Sequence, residues 1–221
     1  EYQEGYLIPV NSTRLPENQK TSKLINDSRK MYPELSEVIG VAAEPFMRMY
    51  NQESSIGNLL TSFMKEAAQS DIAFLNSGAI RADIDSGEIT LEKLINVYPF
   101  KDNLTIIELT GSQIKELIEY SLTLPYGIGQ VAGMTIKYDS TKIEMNRVLE
   151  IKINGEDLQD QKKYTVSVSG YLATGGDGYM VFPEGRLISS DTSFQDALAA
   201  EFKKTNLVNL PKFGRIIDMM N

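Results

Sequence analysis

The sequence predicts an α+β fold, in which mixed β-sheets are flanked by helices. Apolar or alternating stretches of strand length occur between amphipathic stretches of helix length, without the regular alternation of a doubly wound fold. The dipeptide Asn154-Gly155 directly follows one of these strands and is a strong signal for a hairpin. The chain has 221 residues, 42% hydrophobic and 24% charged, and is therefore large enough to bury a sizeable core.

The beginning of the chain differs from the rest. Residues 1–30 are polar and contain residues that favour turns, such as Asn11, Pro16 and Asn18. We expect a poorly packed lead-in or linker here, followed by one domain over residues 31–221. The opening EYQEGYLIPV has no initiator methionine and lacks the basic and apolar regions of a signal peptide, so we expect a mature form or a fragment.

Two helices are predicted next. Apolar residues between Leu35 and Phe46 recur at spacings of three and four, which is typical of a helix, although a glycine and a proline would interrupt it. The second helix has Ser54 or Ser55 as its N-cap. Its apolar stripe consists of Leu59, Leu60, Phe63, Met64, Ala67 and Ala68.

The first two predicted strands each lead into a distinct local motif. Residues 71–75, which contain the apolar run IAFL, indicate a short buried strand that leads into the turn-rich stretch NSGAIRADIDSGEI. Residues 104–109 indicate a second strand. Thr110 and Gln113 follow it in the spacing of a capping box, which predicts a helix.

The rest of the chain is rich in strands. Residues 134–138, 148–153 and 164–169 have the pattern of strands, and the last of these ends in YLATGGDGY. A helix is predicted after the N-cap Ser193, and residues 215–219 are expected to close a sheet.

Composition excludes several classes of chemistry. The net charge of −8 argues against a protein that binds duplex nucleic acid, and no apolar run approaches the ~20 residues of a membrane span. The chain has no cysteine and no histidine, which excludes disulfides, thiolate zinc sites, a cysteine nucleophile and a histidine base. The phosphate-binding patterns GxxxxGK[ST] and GxGxxG and the nucleophile pattern GxSxG are also missing.

The stretch from Asn76 to Arg81 is the first candidate for ligand binding. Asn76 leaves the end of a predicted strand, and Gly78 permits backbone conformations that are closed to other residues. Arg81 offers a planar set of donors that suits a phosphate or a carboxylate. The alternative is a surface turn in which Arg81 pairs with Asp83 or Asp85.

The stretch YLATGGDGY is the second candidate. Gly175, Gly176 and Gly178 surround Asp177, so the loop is able to present backbone N–H groups to an anion, while the carboxylate accepts hydrogen bonds from sugar hydroxyls. The alternative is a simple Gly-Asp-Gly turn. Too few carboxylates are near for calcium, which takes six to eight oxygen ligands.

Tyr98-Pro99-Phe100 is the third candidate. An aromatic side chain held beside a proline can serve as a platform on which a base stacks. For Phe100 the residues alone favour the alternative, a place in the hydrophobic core.

Taken together, these stretches resemble a known family. FLNSGAIRADIDSGEITLEKLINVYPF, LTIIELTGSQIKELIEYSL and YTVSVSGYLATGGDGYMVF occur in this order, with ESSIGNLLTSFM upstream. This ordered set closely resembles the C-terminal domain of the 5′-nucleotidase family, which includes UDP-sugar hydrolases and 2′,3′-cyclic nucleotide phosphodiesterases. The resemblance covers roughly residues 30–215 and implies that family's α+β fold.

The resemblance implies a division of labour between two domains. Family members carry an N-terminal metallophosphatase domain with two divalent metal ions of the zinc, manganese or cobalt class, and a C-terminal domain that binds the nucleoside. Because the chain has no histidine, it cannot contain that N-terminal domain, which we expect in cis or in trans. Bacterial relatives imply an extracytoplasmic location, in the periplasm or at the cell surface.

The resemblance also assigns roles to individual residues. Asn76 and Arg81 would hold ribose or phosphate oxygens, Phe100 and Tyr171 would enclose the base, and Asp177 would bind the ribose. Tyrosine occupies position 171 where phenylalanine is common in the family. Gly78, Gly175 and Gly176 complete the set, and Arg48 is a further candidate because the family's arginine before the GNL helix is missing here.

The expected function is that of a nucleotide-binding specificity domain of a 5′-nucleotidase-type phosphohydrolase. We expect no catalytic or metal-binding residue in this chain, which on its own would be inactive. The alternative is a non-catalytic nucleotide-binding or interaction module that retains the fold. An independent enzyme with Asp177 and Glu53 as an acid–base pair is the least favoured interpretation.

Overall fold

A computed structural model describes residues 15–220 of the chain. The turn-forming residue Asn11 and the rest of residues 1–14 lie outside this range. The described residues belong to two compact units, whose boundary falls between Glu37 and Val38. Among these residues, no helix is long and apolar enough to cross a membrane.

The described part of the first unit contains a helix. Helix α1 (Gln19–Lys30) begins after Asn18, whose side chain accepts hydrogen bonds from the amides of Lys20 and Thr21. Asn18, a residue that also favours turns, acts here as the N-cap of the helix. The helix buries none of its side chains. A short 3-10 turn, Pro33–Ser36, follows it.

The second unit contains the remaining elements. In chain order they are β1 (Val38–Ala42), α2 (Ser55–Ala68), β2 (Ile72–Asn76), β3 (Gly87–Thr90), α3 (Leu91–Val97), β4 (Asn103–Thr110), α4 (Gly111–Ser121), β5 (Gly129–Ala132), β6 (Met134–Tyr138), β7 (Val148–Ile153), β8 (Glu156–Asp157), β9 (Lys163–Ser169), α5 (Gly170–Ala173), α6 (Val181–Glu184), β10 (Arg186–Ser193), α7 (Phe194–Thr205), β11 (Leu207–Val208) and β12 (Ile216–Asp218).

The strands of the second unit form mixed sheets, as the sequence predicts. The largest sheet has the strand order β10-β4-β9-β2-β5, and two smaller sheets have the orders β11-β1-β3 and β12-β6-β7-β8. In the largest sheet β2 is parallel to β9, whereas β5 is antiparallel to β2 and β4 is antiparallel to β9. The predicted α+β fold with mixed sheets is therefore confirmed.

The largest sheet lies between two hydrophobic clusters. Along β2, Ile72 and Phe74 belong to the cluster that includes α4, while Ala73 and Leu75 belong to the cluster that includes α2 and α7. Successive side chains of a strand point to opposite faces, so a strand that is covered on both faces needs four apolar residues in a row. This explains the uninterrupted sequence IAFL.

Local signals for caps and turns are confirmed. Ser54 is the N-cap of α2, and the capping box of Thr110 and Gln113 opens α4. Asn154 and Gly155 have φ angles of 51° and 89° and connect β7 to β8 in a tight hairpin. Each of these signals acts over a few residues and does not depend on distant contacts.

The prediction of a helix between Leu35 and Phe46 was wrong. The region forms strand β1, in which Ile39 and Ala42 are buried. Their spacing of three residues fits a helix, but in the strand the pairing with β3 shifts register between Val38 and Gly40, and the shift breaks the strict alternation of a strand.

Glu108 on β4 is the centre of an ion cluster. The carboxylate of Glu108 lies 2.8 Å from a guanidinium nitrogen of Arg186 and 2.9 Å from the ammonium of Lys163. Hydrogen bonds from Arg186 and then from Lys163 lower the pKa of Glu108 to about 2.

Candidate functional site

A cavity of about 680 Å³ opens at one edge of the largest sheet. The topology explains its position. Because β2 and β9 are parallel neighbours, their carboxyl ends meet at the same edge. The amino ends of the antiparallel β4 and β5 lie at this edge too, since Leu104 pairs with Ser169 and Gly129 pairs with Asn76.

Four connecting segments therefore converge on the cavity. Its lining consists of Tyr50, Asn76, Gly78, Ala79, Arg81, Tyr98, Phe100, Lys101, Asp102, Tyr126, Ser169, Tyr171 and Asp177. Six of the predicted site residues are in this set, although the first and last of them, Asn76 and Asp177, are separated by 101 positions in the chain. The tertiary structure thus brings the separate motifs of the sequence to one place.

Asp177 is the centre of a hydrogen-bond network on one wall. The side-chain amide of Asn76 donates to its Oδ2 over 2.6 Å, and the hydroxyl of Tyr171 donates to its Oδ1 over 2.7 Å. The backbone N–H of Asp177 donates to the same hydroxyl over 3.0 Å. On the other side of the loop, the hydroxyl of Tyr120 donates to the carbonyl oxygen of Asp177, also over 3.0 Å.

The backbone of Asp177 needs this support. Its φ of 53° and ψ of 17° lie in the left-handed region, which aspartate tolerates better than most residues. Gly175 and Gly178, with φ angles of 89° and 82°, allow the chain to turn on either side. The loop thereby directs the carboxylate into the cavity.

The ring of Tyr171 lies against the same glycine-rich loop. A Cβ atom at Gly176 would come within 2.4 Å of this ring, so only glycine fits beneath it. The hydrogen bond to the Asp177 carboxylate raises the pKa of Tyr171. Gly175 and Gly176 thus act behind the lining, by shaping the turn that carries Asp177 and by making room for the ring.

Phe100 lies on the surface and not in the core. Its side chain is 37% exposed, and the guanidinium carbon of Arg81 lies 5.2 Å from the centre of its ring. Tyr98 takes the core position, with its ring stacked 4.1 Å from that of Phe194. The alternative interpretation of Phe100 as a core residue is wrong because Tyr98 fills that space.

Asp102 joins the loop after α3 to helix α5. It accepts hydrogen bonds from the hydroxyl of Tyr98 over 2.9 Å and from the backbone N–H of Tyr171 over 3.1 Å. Burial, followed by the charge of Asp102, raises the pKa of Tyr98, so this hydroxyl remains a donor. The two predicted stacking residues, Phe100 and Tyr171, are therefore carried by segments that are bonded to each other.

Arg48 supports the cavity from outside its lining. Its guanidinium donates to the carbonyl oxygen of Arg81 over 2.7 Å and lies 3.1 Å from the carboxylate of Asp83. The alternative pairing of Arg81 with Asp83 is thus replaced by a pairing of Arg48 with Asp83. Arg81 instead lies over Phe100 and reaches the cavity.

Several lining residues were not predicted from the sequence. Tyr50 and Tyr126 are 45% and 56% exposed and belong to loops that the hydrogen bond from the Ile128 amide to the Tyr50 carbonyl ties together. Lys101, Ser169 and Ala79 complete the group. An exposed tyrosine in a turn has no local signature of binding. Its proximity to the motifs depends on the pairing of β5 with β2, and β5 was not predicted from the sequence.

Glu53 does not line the cavity that contains Asp177, so the two carboxylates do not form an acid–base pair there. Its carboxylate accepts hydrogen bonds from the backbone amides of Gly214, Arg215 and Ile216. Within residues 15–220, no group of three or more Asp, Glu, His or Cys side chains is arranged to hold a metal ion.

Comparisons with known proteins agree on one family. The family described as "5′-nucleotidase, C-terminal domain" matches residues 38–184. The trifunctional nucleotide phosphoesterase protein YfkN of Bacillus subtilis is 40% identical over 146 residues, which cover 60% of this chain and 10% of that protein. A 5′-nucleotidase of Vibrio vulnificus is 31% identical over 168 residues, which cover 74% of this chain and 29% of that protein.

A solved structure extends the similarity to most of the fold. The crystal structure of a 5′-nucleotidase precursor from Thermus thermophilus matches with a TM-score of 0.83 and 27% identity, over 91% of this chain and 43% of that one. The chain therefore spans less than half the length of each of these three proteins.

Proposed function

The chain belongs to the 5′-nucleotidase C-terminal domain family, and we propose that its cavity binds the nucleoside part of a nucleotide for a phosphohydrolase. The observation that carries the proposal is the convergence of two exposed aromatic rings, an arginine and an aspartate on one cavity. These are the groups that a base, a phosphate and a sugar require.

The aromatic residues would hold the base. Phe100 and Tyr171 both line the cavity and are 37% and 52% exposed, so their rings are available to a ligand. Stacking of a base on an aromatic side chain contributes ~1–3 kcal/mol and tolerates different bases. In this proposal the stacking sets affinity, and the choice of base stays broad.

The polar residues would hold the ribose and orient the phosphate. Asp177 accepts hydrogen bonds from ribose hydroxyls, and Asn76 fixes its carboxylate. Arg81 offers its guanidinium donors to the phosphate. Because the chain as a whole carries a charge of −8, attraction of a phosphate depends on the cations of the lining, Arg81 and Lys101, and not on a general positive field.

Hydrolysis would need a second domain. We propose that an N-terminal metallophosphatase domain, in cis or in trans, receives the phosphate of a nucleoside 5′-monophosphate and releases nucleoside and phosphate. Two divalent ions on that domain would supply the hydrolytic chemistry. We further propose an extracytoplasmic location for the whole protein.

Titration calorimetry with adenosine and AMP tests the proposal. We expect saturable binding to the wild-type chain and binding at least about tenfold weaker in Phe100→Ala, because stacking on the ring contributes ~1–3 kcal/mol. Phe213→Ala is the matched control, because Phe213 is 61% exposed and is not part of the cavity lining. Absence of binding to the wild-type chain at millimolar ligand, or equal losses in both variants, would contradict the proposal.

An assay of AMP turnover tests the division of labour. The chain alone, supplied with manganese, is expected to release no phosphate from AMP. Release that survives a chelator would show that this chain contains its own catalytic group.

A further inference from the structure

The hydroxyl group of Tyr171 has a role that stacking does not explain. An aromatic ring alone is enough to stack on a base, and phenylalanine would provide it. Here the hydroxyl makes two hydrogen bonds with a single residue, one to the carboxylate of Asp177 and one from its backbone N–H. The side chain of Tyr171 is therefore bonded to the residue that the proposed function assigns to the sugar.

These hydrogen bonds restrain a loop that would otherwise be free to change conformation. Asp177 has a left-handed backbone and is flanked by glycines, which allow many conformations. Tyr171 binds its N–H, and Tyr120 binds its carbonyl oxygen. A tyrosine hydroxyl is protonated at neutral pH and can therefore donate, and the hydrogen bond to Asp177 raises the pKa of Tyr171 further.

The same contacts leave part of the carboxylate open. An ionised carboxylate has about four acceptor positions. Asn76 occupies one on Oδ2, and Tyr171 occupies one on Oδ1. Each oxygen of Asp177 thus keeps acceptor capacity beside the cavity. Two adjacent oxygen acceptors fit two adjacent hydroxyl donors, as in a vicinal diol.

We infer that Tyr171 is a positioning residue whose hydroxyl orients Asp177, so that the cavity selects ligands with a vicinal diol, such as ribonucleosides, over their deoxy analogues. The inference rests on the proposed binding of a nucleoside. It assigns the two parts of Tyr171 to different parts of the ligand, the ring to the base and the hydroxyl, through Asp177, to the sugar.

Calorimetry of Tyr171→Phe with adenosine and 2′,3′-dideoxyadenosine tests the inference. The substitution keeps the ring and removes only the hydroxyl. We expect adenosine to bind about three- to tenfold more weakly, as for the loss of one hydrogen bond, and dideoxyadenosine to bind as it does to the wild type. The ratio of the two affinities should therefore fall by the same factor.

Two further variants make the test specific. Tyr164→Phe is the control, because the hydroxyl of Tyr164 also accepts a backbone N–H, from Gln159, but is not part of the cavity lining. It should leave the affinity ratio unchanged. Tyr120→Phe removes the other restraint on Asp177 and should lower the ratio by a smaller factor.

The outcomes separate the inference from the proposed function. If the wild-type chain does not bind adenosine, both are wrong. If it binds adenosine and Tyr171→Phe leaves the ratio unchanged, or weakens both ligands equally, the positioning role is wrong while nucleoside binding stands.

Discussion

Glu53 provides the sharpest test of how the C-terminal end of the domain is held. Its side chain is 8% exposed, and its Oε2 atom accepts the amides of Gly214, Arg215 and Ile216 over 2.9, 3.0 and 3.2 Å. Its Oε1 atom accepts the side-chain amide of Asn58 over 2.5 Å. We predict that Glu53→Ala destabilises the protein by removing the acceptor from all of these donors.

The magnitude follows from these contacts. A buried donor left without an acceptor costs ~1–3 kcal/mol, but water would reach some of the amides in the variant, and neighbouring hydrogen bonds are not additive. We therefore expect a loss of about 3 kcal/mol in the free energy of unfolding. For a domain of this size, 1 kcal/mol corresponds to ~2–4 °C, so Tm should fall by about 6–12 °C. Glu53→Gln keeps one oxygen acceptor and should lose about half as much.

Thermal unfolding followed by circular dichroism measures this change, and hydrogen exchange locates it. Exchange should accelerate at the amides of residues 214–216 more than elsewhere. The control is Glu144→Ala, at an exposed position where a change within ~0.5 kcal/mol is expected. A Tm for Glu53→Ala within about 2 °C of the wild type, or acceleration spread evenly over the chain, would refute the reasoning.

Three other substitutions test separate parts of the structure. Gly176→Ala should push the ring of Tyr171 aside, because the added Cβ would lie 2.4 Å from it. We expect calorimetry to show adenosine binding about tenfold more weakly, from the loss of base stacking. Unchanged affinity would contradict this placement of the ring. Gly57→Ala should lower the free energy of unfolding by about 2 kcal/mol, measured with urea, because the Cβ would come within 2.3 Å of the buried Gln130 side chain. A gain in stability, as alanine gives in a helix with free space around it, would contradict this packing. Glu108 has a folded-state pKa of about 2, below the ordinary 4.5, so its stabilising contribution is present above pH 4.5 and is lost as the pH falls towards 2. The difference in Tm between wild type and Glu108→Gln should therefore shrink over this range. A constant difference would contradict the ion cluster.

Elements with strong local signals could be predicted from the sequence. The capping box of Thr110 and Gln113 and the Asn154-Gly155 turn involve residues only a few positions apart, so their free energy is local. Strand β2 could also be predicted, because burial on both faces leaves a continuous apolar run.

Elements without such signals were missed. Strand β10 is an edge strand whose side chains are largely exposed, and its pairing with β4 shifts register twice, so it shows no regular alternation. Strand β5 is short and fully buried, and its sequence GQVA contains a glycine and a glutamine. Both strands are defined by their partners in the sheet and not by their own residues.

The sequence by itself determined the family, the α+β class and the motifs that hold Asn76, Arg81, Phe100 and Asp177. Only the tertiary structure decided that these motifs face one cavity, that Tyr171 is bonded to Asp177, and that unpredicted tyrosines complete the lining. The physical reason is that a sequence pattern reports local conformation and burial. Proximity across 101 positions arises from the parallel pairing of β2 with β9, which brings their carboxyl ends to the same edge of the sheet.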